Sequence, residues 1–317
     1  MLQRVFAPAL VLLLVAGSLR GQDPVPVVFV VNSALEKDRP LPGVVVRASL
    51  APASSDAVTG VTDGAGRVEL GLARGEWFVS YQLQGHVPLI DTPLTVGSPG
   101  QVVTTSLLPA LEGEAESGPP RIALVLNWGS DQSEHVRDCD SHLAIERTHV
   151  YFGAKVAERQ RSQLHLDVDD MDWGGPETIT VRDPSPGRWT YWVHDWSDGP
   201  GQLGGSEVVV RLLVGDTVAG EWRAPGSATA RVWRPFQALE VADDGAISVV
   251  PFGPEELAAG ADRRVPPEVE ATIGWSPVGG GGDAVAVCCL ALFLVPTALG
   301  VAAFLFRRAL GGTGARR

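Results

Sequence analysis

The strongest constraint in this sequence is a long succession of short β-rich runs separated by turn residues. Five such runs lie within residues 25–111 and about nine more within residues 121–252, punctuated by turn pairs such as Asp63-Gly64. No stretch of these two regions sustains the 3.6-residue period of an amphipathic helix. The pattern predicts an all-β fold class with two β-sandwich domains, of which the second is larger and jelly-roll-like.

The two ends of the chain are apolar and predict export and anchoring. Residues 1–21 have the layout of a signal peptide, because Arg4 precedes a short apolar run and small residues follow it. Residues 284–306 contain no charge and are long enough for a transmembrane helix. The arginine-rich tail, residues 307–317, predicts a cytoplasmic C-terminus by the positive-inside rule.

The connecting segments complete this domain organisation. The acidic residues 112–120 predict a linker, and the Pro/Gly-rich residues 253–283 predict a stem between the second sandwich and the membrane. Glycines at residues 279–282 followed by the apolar segment and arginines also match a C-terminal sorting signal. C-terminal processing with surface sorting is therefore the alternative to a permanent single-pass anchor.

Composition excludes several classes of protein. The formal net charge is −12 at pH 7, which argues against nucleic acid as a partner because a phosphate backbone requires a basic surface. Two of the three cysteines lie in the predicted membrane segment, so Cys139 is the only exported thiol and no intramolecular disulfide can form there. Stability outside the cell must then come from apolar cores or bound ions.

Motifs in the first domain occur in a recognisable order. They are PLPGV at residues 40–44, VTDGAG at 61–66, LARG at 72–75, an aromatic strand at 77–81 and GH at 85–86. This series resembles the carboxypeptidase regulatory-like domain, a transthyretin-like Greek-key sandwich of seven strands. The resemblance implies a spacer or binding module without catalytic apparatus.

A second ordered series follows the linker. It consists of DCDSHL at residues 138–143, HVYF at 149–152, LDVDD at 166–170, GPETI at 175–179 and YWVH at 191–194. The series resembles the YfaP-like family of exported bacterial proteins, whose members have no established activity. In the predicted strand at residues 188–196, which contains YWVH, alternation places Trp189, Tyr191 and Val193 on one face and Trp192, His194 and Trp196 on the other. Core packing is favoured over a sugar-binding aromatic surface for these side chains.

Acidic residues in two of these motifs suggest a cation site. In an extended chain alternate residues share a face, which groups the side chains within DCDSH and within DVDD. Oxygen ligands outside a cell point first to Ca²⁺, whereas His142 together with His165 or His194 would favour Zn²⁺. Turn capping by the same carboxylates is the third alternative. The candidate metal ligands are Asp138, Asp140, His142, Asp167, Asp169 and Asp170.

No catalytic motif accompanies these residues. The chain contains no HExxH, no GxSxG elbow and no CxxC pair. We therefore expect a non-enzymatic, membrane-anchored extracytoplasmic protein for binding or adhesion, with a glycan or protein ligand and possible stabilisation by Ca²⁺. The alternatives are a spacer or accessory subunit of a cell-envelope complex and, less favoured, a metal-dependent hydrolase.

Overall fold

The chain folds into two compact units that are built predominantly from β-strands, which confirms the predicted β class. The computed structural model describes residues 23–111, 120–130, 132, 135–197, 202–226, 228 and 230–273. Of the described residues, the first unit comprises those up to Val31, Pro40–Gln84 and Pro88–Val103, and the second comprises Asn32–Arg39, Gly85–Val87 and those from Thr104 onward.

Several predicted segments lie outside the described residues. These are the signal peptide, residues 112–119 of the linker, the transmembrane helix at 284–306 and the tail at 307–317. Within the described residues, the structure contains no helix with the length and apolar character needed to cross a membrane.

Seven strands precede residue 108 and form two sheets. The strands are β1 (Val25–Ser33), β2 (Val45–Ser49), β3 (Val58–Val61), β4 (Arg67–Leu72), β5 (Gly75–Gln82), β6 (Leu89–Val96) and β7 (Gln101–Leu107). One sheet has the order β4-β1-β7 and the other β3-β2-β5-β6. Every second residue of β1 is buried, as the two-residue period of a half-exposed strand requires. Phe29 of β1 meets Tyr81 of β5 edge to face, with ring centroids 6.2 Å apart.

The turn between β3 and β4 shows how the sequence reverses the chain in the first unit. The Asp63 side chain accepts hydrogen bonds from the backbone N–H groups of Ala65 and Arg67, both at 2.9 Å. Gly66 has a φ of 69°, and a Cβ there would lie 2.5 Å from the Val31 carbonyl oxygen. Only glycine fits this position without a shift of the backbone.

Twelve strands of the second unit form two sheets of six. They are β8 (Ile122–Asn127), β9 (Cys139–Ile145), β10 (Thr148–Val150), β11 (Val156–Arg159), β12 (Ser162–Val168), β13 (Glu177–Arg182), β14 (Gly187–Asp195), β15 (Val209–Val214), β16 (Thr217–Arg223), β17 (Val232–Trp233), β18 (Ala238–Val241) and β19 (Ile247–Val250). One sheet has the order β11-β12-β13-β8-β15-β16, and the other β10-β9-β14-β18-β19, with β17 paired to β14.

The main apolar core of the second unit is rich in aromatic side chains. Trp128, Trp189, Tyr191 and Phe236 are at most 1% exposed and belong to one cluster. Strand β8 lies between β13 and β15, and all of its residues are buried. A central strand enclosed on both faces requires the continuous apolar run that β8 shows.

Part of the predicted stem is folded rather than extended. Residues 253–273 contain α1 (Pro254–Ala258), a 3-10 turn (Ala261–Arg263) and α2 (Pro267–Ile273). Val265, Val269 and Ile273 pack with Ala144 and Trp192. Val269 and Ile273 are four residues apart in α2 and so share one face of that helix, while Val265 precedes the helix. These apolar contacts explain why this part of the Pro/Gly-rich segment packs against the strands of the second unit.

Candidate metal centre

Strand β9 places two of the predicted ligands on one face of its sheet. Its alternate residues belong to the main core of the second unit: Cys139, Leu143 and Ile145. Asp140 and His142 therefore project from the opposite face. All seven residues of the strand are buried, so both ionisable side chains are removed from water.

The neighbouring strand β14 brings a second imidazole to that face. In the antiparallel register His194 lies opposite Asp140, and Trp192 lies opposite His142. Directly opposite residues have Cβ atoms about 4.5–5.5 Å apart. The Trp192 and His142 rings stack with centroids 4.9 Å apart, which fixes the plane of the imidazole.

Asp140 lies at the meeting point of these side chains. It is 3% exposed, and its Oδ2 is 3.9 Å from Nδ1 of His194, which is too long for a hydrogen bond. This oxygen accepts no hydrogen bond from any residue that the structure describes. Asp140, His142 and His194 offer ligand atoms that all lie within 4.8 Å of one another. We call this set the imidazole triad.

A second set of ligand atoms also includes Asp140. Oxygens of Asp140, Asp169 and Glu177 lie within 4.8 Å of one another, and we call this set the carboxylate triad. Glu177 is fully buried, and its Oε2 accepts the backbone N–H of Ser141. Its Oε1 has no donor among the described residues. Lys155 Nζ lies 2.5 Å from Oδ2 of Asp169, so one positive charge faces three carboxylates.

The carboxylates hold their protons more tightly than usual. Burial, with the nearby charges of Asp169 and Asp195, raises the pKa of Asp140 to about 7. Burial and the charge of Asp140 raise the pKa of Asp138 to about 7 as well. Burial also raises the pKa of Glu177 well above its usual range. A bound cation would stabilise the ionised forms of all three groups.

The histidines around Asp140 are held in the neutral form. Burial lowers the pKa of His142 well below its usual value, and His149 and His194 add to this effect. Burial lowers the pKa of His149 to about 3 and that of His194 to about 4. Neutral imidazole is the form that binds a metal. The Nδ1 atom of His142 is 3.0 Å from Nε2 of His149.

Asp138 is close to the centre but belongs to neither triad. Its backbone N–H donates to Oγ of Ser197 at 2.8 Å, which holds the residue just before β9. Its Oδ1 is buried and accepts no hydrogen bond from the described residues. Asp138 therefore adds negative charge beside the centre without offering a ligand atom to either triad.

The remaining two predicted ligands are paired elsewhere. Asp167 accepts a hydrogen bond from Oγ1 of Thr180 at 2.7 Å. Asp170 forms an ion pair with Lys37 at 3.0 Å and accepts the backbone N–H of Asp172 at 3.1 Å. Neither carboxylate contributes to a triad. The bond from Asp172 to Asp170 is the capping that the third alternative describes, whereas Asp167 bonds a side chain of the neighbouring strand β13.

The aromatic side chains of β14 divide as their alternation requires. Trp189 and Tyr191 lie in the main core and are fully buried. On the other face Trp192 is also fully buried, whereas Trp196, just after the strand, is 42% exposed. Trp196 contacts Phe152 with ring centroids 5.1 Å apart, so the aromatic cluster reaches the surface beyond His194.

Comparison with known proteins identifies no family. No family model matches this chain, and no characterised protein matches it either. The unknown function protein SAV2460 has a TM-score of 0.32 and 19% identity over 43% of this chain and 88% of its own. BcpA, the major pilin subunit of Bacillus cereus, has a TM-score of 0.23 and 14% identity over 62% and 66%.

A third solved structure is still more distant. Fervidolysin from Fervidobacterium pennivorans, a keratinolytic enzyme related to subtilisin, has a TM-score of 0.21 and 10% identity, covering 67% of this chain and 32% of its own. Similarity at these levels assigns neither a family nor an activity to this chain.

Proposed function

We propose that this chain is an exported, membrane-anchored binding or adhesion protein whose second β-sandwich is stabilised by Ca²⁺ at the carboxylate triad. The observation that carries the proposal is the convergence of Asp140, Asp169 and Glu177 within 4.8 Å. Glu177 Oε1 and Asp140 Oδ2 are buried and have no donor among the described residues. Buried carboxylates in this condition are costly unless a cation compensates them.

The charge and the ligand type of the triad favour Ca²⁺ over Mg²⁺. Lys155 forms an ion pair with Asp169, so among the described residues one positive charge offsets three carboxylates when all are ionised. One divalent cation would neutralise the remaining charge. Ca²⁺ accepts irregular sets of protein oxygens, whereas Mg²⁺ demands near-octahedral geometry and usually keeps several waters. A buried set of carboxylates from different strands therefore suits the larger ion.

The burial of the centre supports a structural role for the ion. Asp140 is 3% exposed, and His142 and Glu177 are fully buried. A catalytic metal keeps an open position that substrate and water can reach. The absence of a catalytic sequence motif agrees with a binding module rather than a hydrolase.

The proposed architecture combines the two resemblances with the observed strands. Seven strands in sheets of three and four support a transthyretin-like first sandwich that acts as a spacer or binding module. Two sheets of six strands support a larger, jelly-roll-like second sandwich. The apolar segments at residues 1–21 and 284–306 support export and anchoring.

Fractionation of the native host's membranes tests the anchoring. The expected result is a membrane-bound chain whose intact mass includes Arg317 and lacks residues 1–21. A mature chain that ends before residue 284 would contradict the permanent anchor and favour surface sorting. Binding of the full chain, held in detergent, to arrays of glycans and cell-surface proteins then tests the adhesion role; no ligand on either array would count against it.

Calorimetric titration of the chelator-treated full chain with Ca²⁺ tests the ion. We expect one Ca²⁺ per chain, with binding lost in Asp169→Asn and Glu177→Gln. Asp243→Asn removes the same charge from an exposed residue and should leave binding unchanged. Equal Ca²⁺ affinity in all four proteins would refute the site.

A further inference from the structure

We propose that the imidazole triad is a second cation position, distinct from the Ca²⁺ position, that takes a late first-row divalent cation such as Zn²⁺. The inference rests partly on the proposed function, because Asp140 would serve both positions. It also adds a different ligand chemistry to the same centre. Each triad can be tested alone, because each has ligands that the other lacks.

The donor atoms of the imidazole triad select a different class of ion. Two imidazole nitrogens and one carboxylate oxygen suit Zn²⁺ and neighbouring transition metals, whereas Ca²⁺ prefers oxygen ligands alone. Asp140 and His194 face each other in the strand register, and His142 belongs to the same triad. The fold itself therefore assembles this mixed set on one sheet face.

The distance between Asp140 and His194 fits two ligands of one ion. Oδ2 of Asp140 and Nδ1 of His194 are 3.9 Å apart, which exceeds the range of a hydrogen bond. Zn²⁺ holds tetrahedral ligands at about 2.0–2.2 Å, which places two of them about 3.3–3.6 Å apart, so a shift of a few tenths of an ångström would bring these two atoms onto one ion. The carboxylate oxygen concerned is buried and accepts no hydrogen bond from the described residues.

His149 orients the imidazole of His142. The Nδ1 of His142 lies 3.0 Å from Nε2 of His149, and the His149 ring stacks on Tyr151 with centroids 4.4 Å apart. When His142 Nδ1–H donates to His149, the Nε2 of His142 carries a lone pair for a metal. Metal-binding histidines commonly donate their other ring N–H to such an outer partner.

Asp140 has two oxygens, so one carboxylate can bridge two ions. The carboxylate triad extends from it to Asp169 and Glu177, while the imidazole triad extends along β9 and β14. Asp138 and Asp195 add negative charge near Asp140, which favours further positive charge at the centre. Because His142 is fully buried, the second ion would stabilise the sandwich from inside rather than catalyse a reaction.

Metal titration of the full-length chain in detergent tests this inference. The chain is stripped with a chelator, saturated with Ca²⁺ and titrated with Co²⁺ as a spectroscopic substitute for Zn²⁺. We expect the visible absorption of nitrogen-ligated Co²⁺, one Co²⁺ per chain by elemental analysis, and displacement of Co²⁺ by Zn²⁺ with Ca²⁺ retained. Release of one Ca²⁺ for each Co²⁺ bound would show a single shared position and overturn the inference, while the proposed Ca²⁺ site would stand.

Histidine variants locate the second position. His194→Gln should abolish the Co²⁺ absorption, and His149→Phe should weaken Zn²⁺ binding by about 10–100-fold because it removes the outer hydrogen bond. His165→Gln is the matched control, because His165 lies on β12 outside the triad. Retained Ca²⁺ binding shows that a variant is folded.

The remaining outcomes separate the two proposals. Unchanged Co²⁺ spectra in His194→Gln would overturn the inference, and so would the absence of nitrogen-ligated Co²⁺ in the native protein. If a variant fails to fold, the Co²⁺ spectrum of the native protein still tests the inference. Co²⁺ binding without any Ca²⁺ binding would refute the proposed function and leave the imidazole site in place.

Discussion

The two units bury different kinds of polar side chain. Among the described residues, the buried polar side chains of the first unit carry only hydroxyl groups. They are those of Ser49, Thr62 and Thr92. The second unit also buries carboxylates, imidazoles and guanidinium groups, including Asp140 and Glu177. Both units are β-sandwiches, so this contrast does not follow from fold class.

The hydroxyl of Thr62 is satisfied by hydrogen bonds within the first unit. Thr62 Oγ1 accepts the backbone N–H of Val44 at 2.9 Å and donates to the carbonyl of Leu41 at 2.7 Å. Nearby backbone therefore satisfies the group completely. Burial instead raises the pKa of Glu177 well above its usual range, because its ionised form requires compensating charge as well as hydrogen bonds. The proposed cation dependence therefore belongs to the second unit.

Replacing Asp140 should produce the largest change, and its sign should depend on Ca²⁺. The pKa of the Asp140 carboxyl group is about 7, so at pH 8 this buried group is mostly ionised. In chelator, Asp140→Asn removes that charge and should stabilise the second unit by about 2–4 kcal/mol. In Ca²⁺ it should destabilise that unit, because a ligand is lost. Thermal melts in both conditions check this prediction, with Asp243→Asn as the control. Destabilisation in chelator as well would contradict the account.

Thr62→Val should break the hydroxyl arrangement of the first unit. It leaves a buried N–H and a buried carbonyl without their side-chain partner, at a cost of about 1–3 kcal/mol. The loss should be equal in Ca²⁺ and in chelator. Hydrogen exchange of the β2 amides, measured as a function of denaturant concentration, gives this loss of stability. Thr59→Val, at an exposed position, is the control. A Ca²⁺-dependent cost would remove the distinction between the units.

The stability of the metal-free second unit should fall by about 1 kcal/mol as the pH rises from 6.5 to 8. Asp138 and Asp140 have folded-state pKa values of about 7, above the unfolded value of about 3.9. The folded state therefore binds the extra protons, and their contribution is lost as the pH rises through 7. The buried histidines, whose unfolded pKa is about 6.5, act in the opposite sense and offset part of this fall, whereas Glu177, whose pKa is also raised, adds to it.

Melts at both pH values in chelator and in Ca²⁺ measure this effect. Ca²⁺ should reduce the pH dependence, because it stabilises the ionised carboxylates. A second unit that becomes more stable between pH 6.5 and pH 8 in chelator would be inconsistent with protonated carboxylates at its centre.

Asp167→Asn should have the smallest effect, below about 0.5 kcal/mol. Asp167 lies outside both triads, and an asparagine oxygen can still accept the hydrogen bond from Thr180. Ca²⁺ affinity should stay the same by calorimetry. A weaker affinity would extend the site to a carboxylate that the structure places elsewhere.

Sequence patterns predict the β class and most strands, but they do not predict β3, β6, β11 and β19. β6 includes Asp91 with a φ of 51° and Pro93, both of which are unfavourable in a regular strand. The strand forms at the edge of its sheet and follows a register shift in its pairing with β5 between Val79 and Tyr81. Tertiary pairing thus overrides local propensity here.

The candidate site shows a similar limit. Strand alternation correctly groups Asp140 with His142, since both leave one face of β9. It also groups Asp167 with Asp169, but a register shift between Leu166 and Val168 interrupts the pairing of β12 with β13. Glu177 lies in the GPETI motif, but no sequence pattern gives it a ligand role, because its approach to β9 depends on how two sheets face each other.

Hydrogen exchange of the full chain, compared in Ca²⁺ and in chelator, tests the central claim most directly because it reports on each unit separately. At a free Ca²⁺ concentration of about 100 times Kd, binding contributes about 2.7 kcal/mol. Amides of β9, β13 and β14 that exchange by unfolding of the second unit should then slow by about 100-fold. Those of β2, β5 and β6 should exchange at the same rate in both conditions. Equal exchange of the second unit with and without Ca²⁺ would contradict the account.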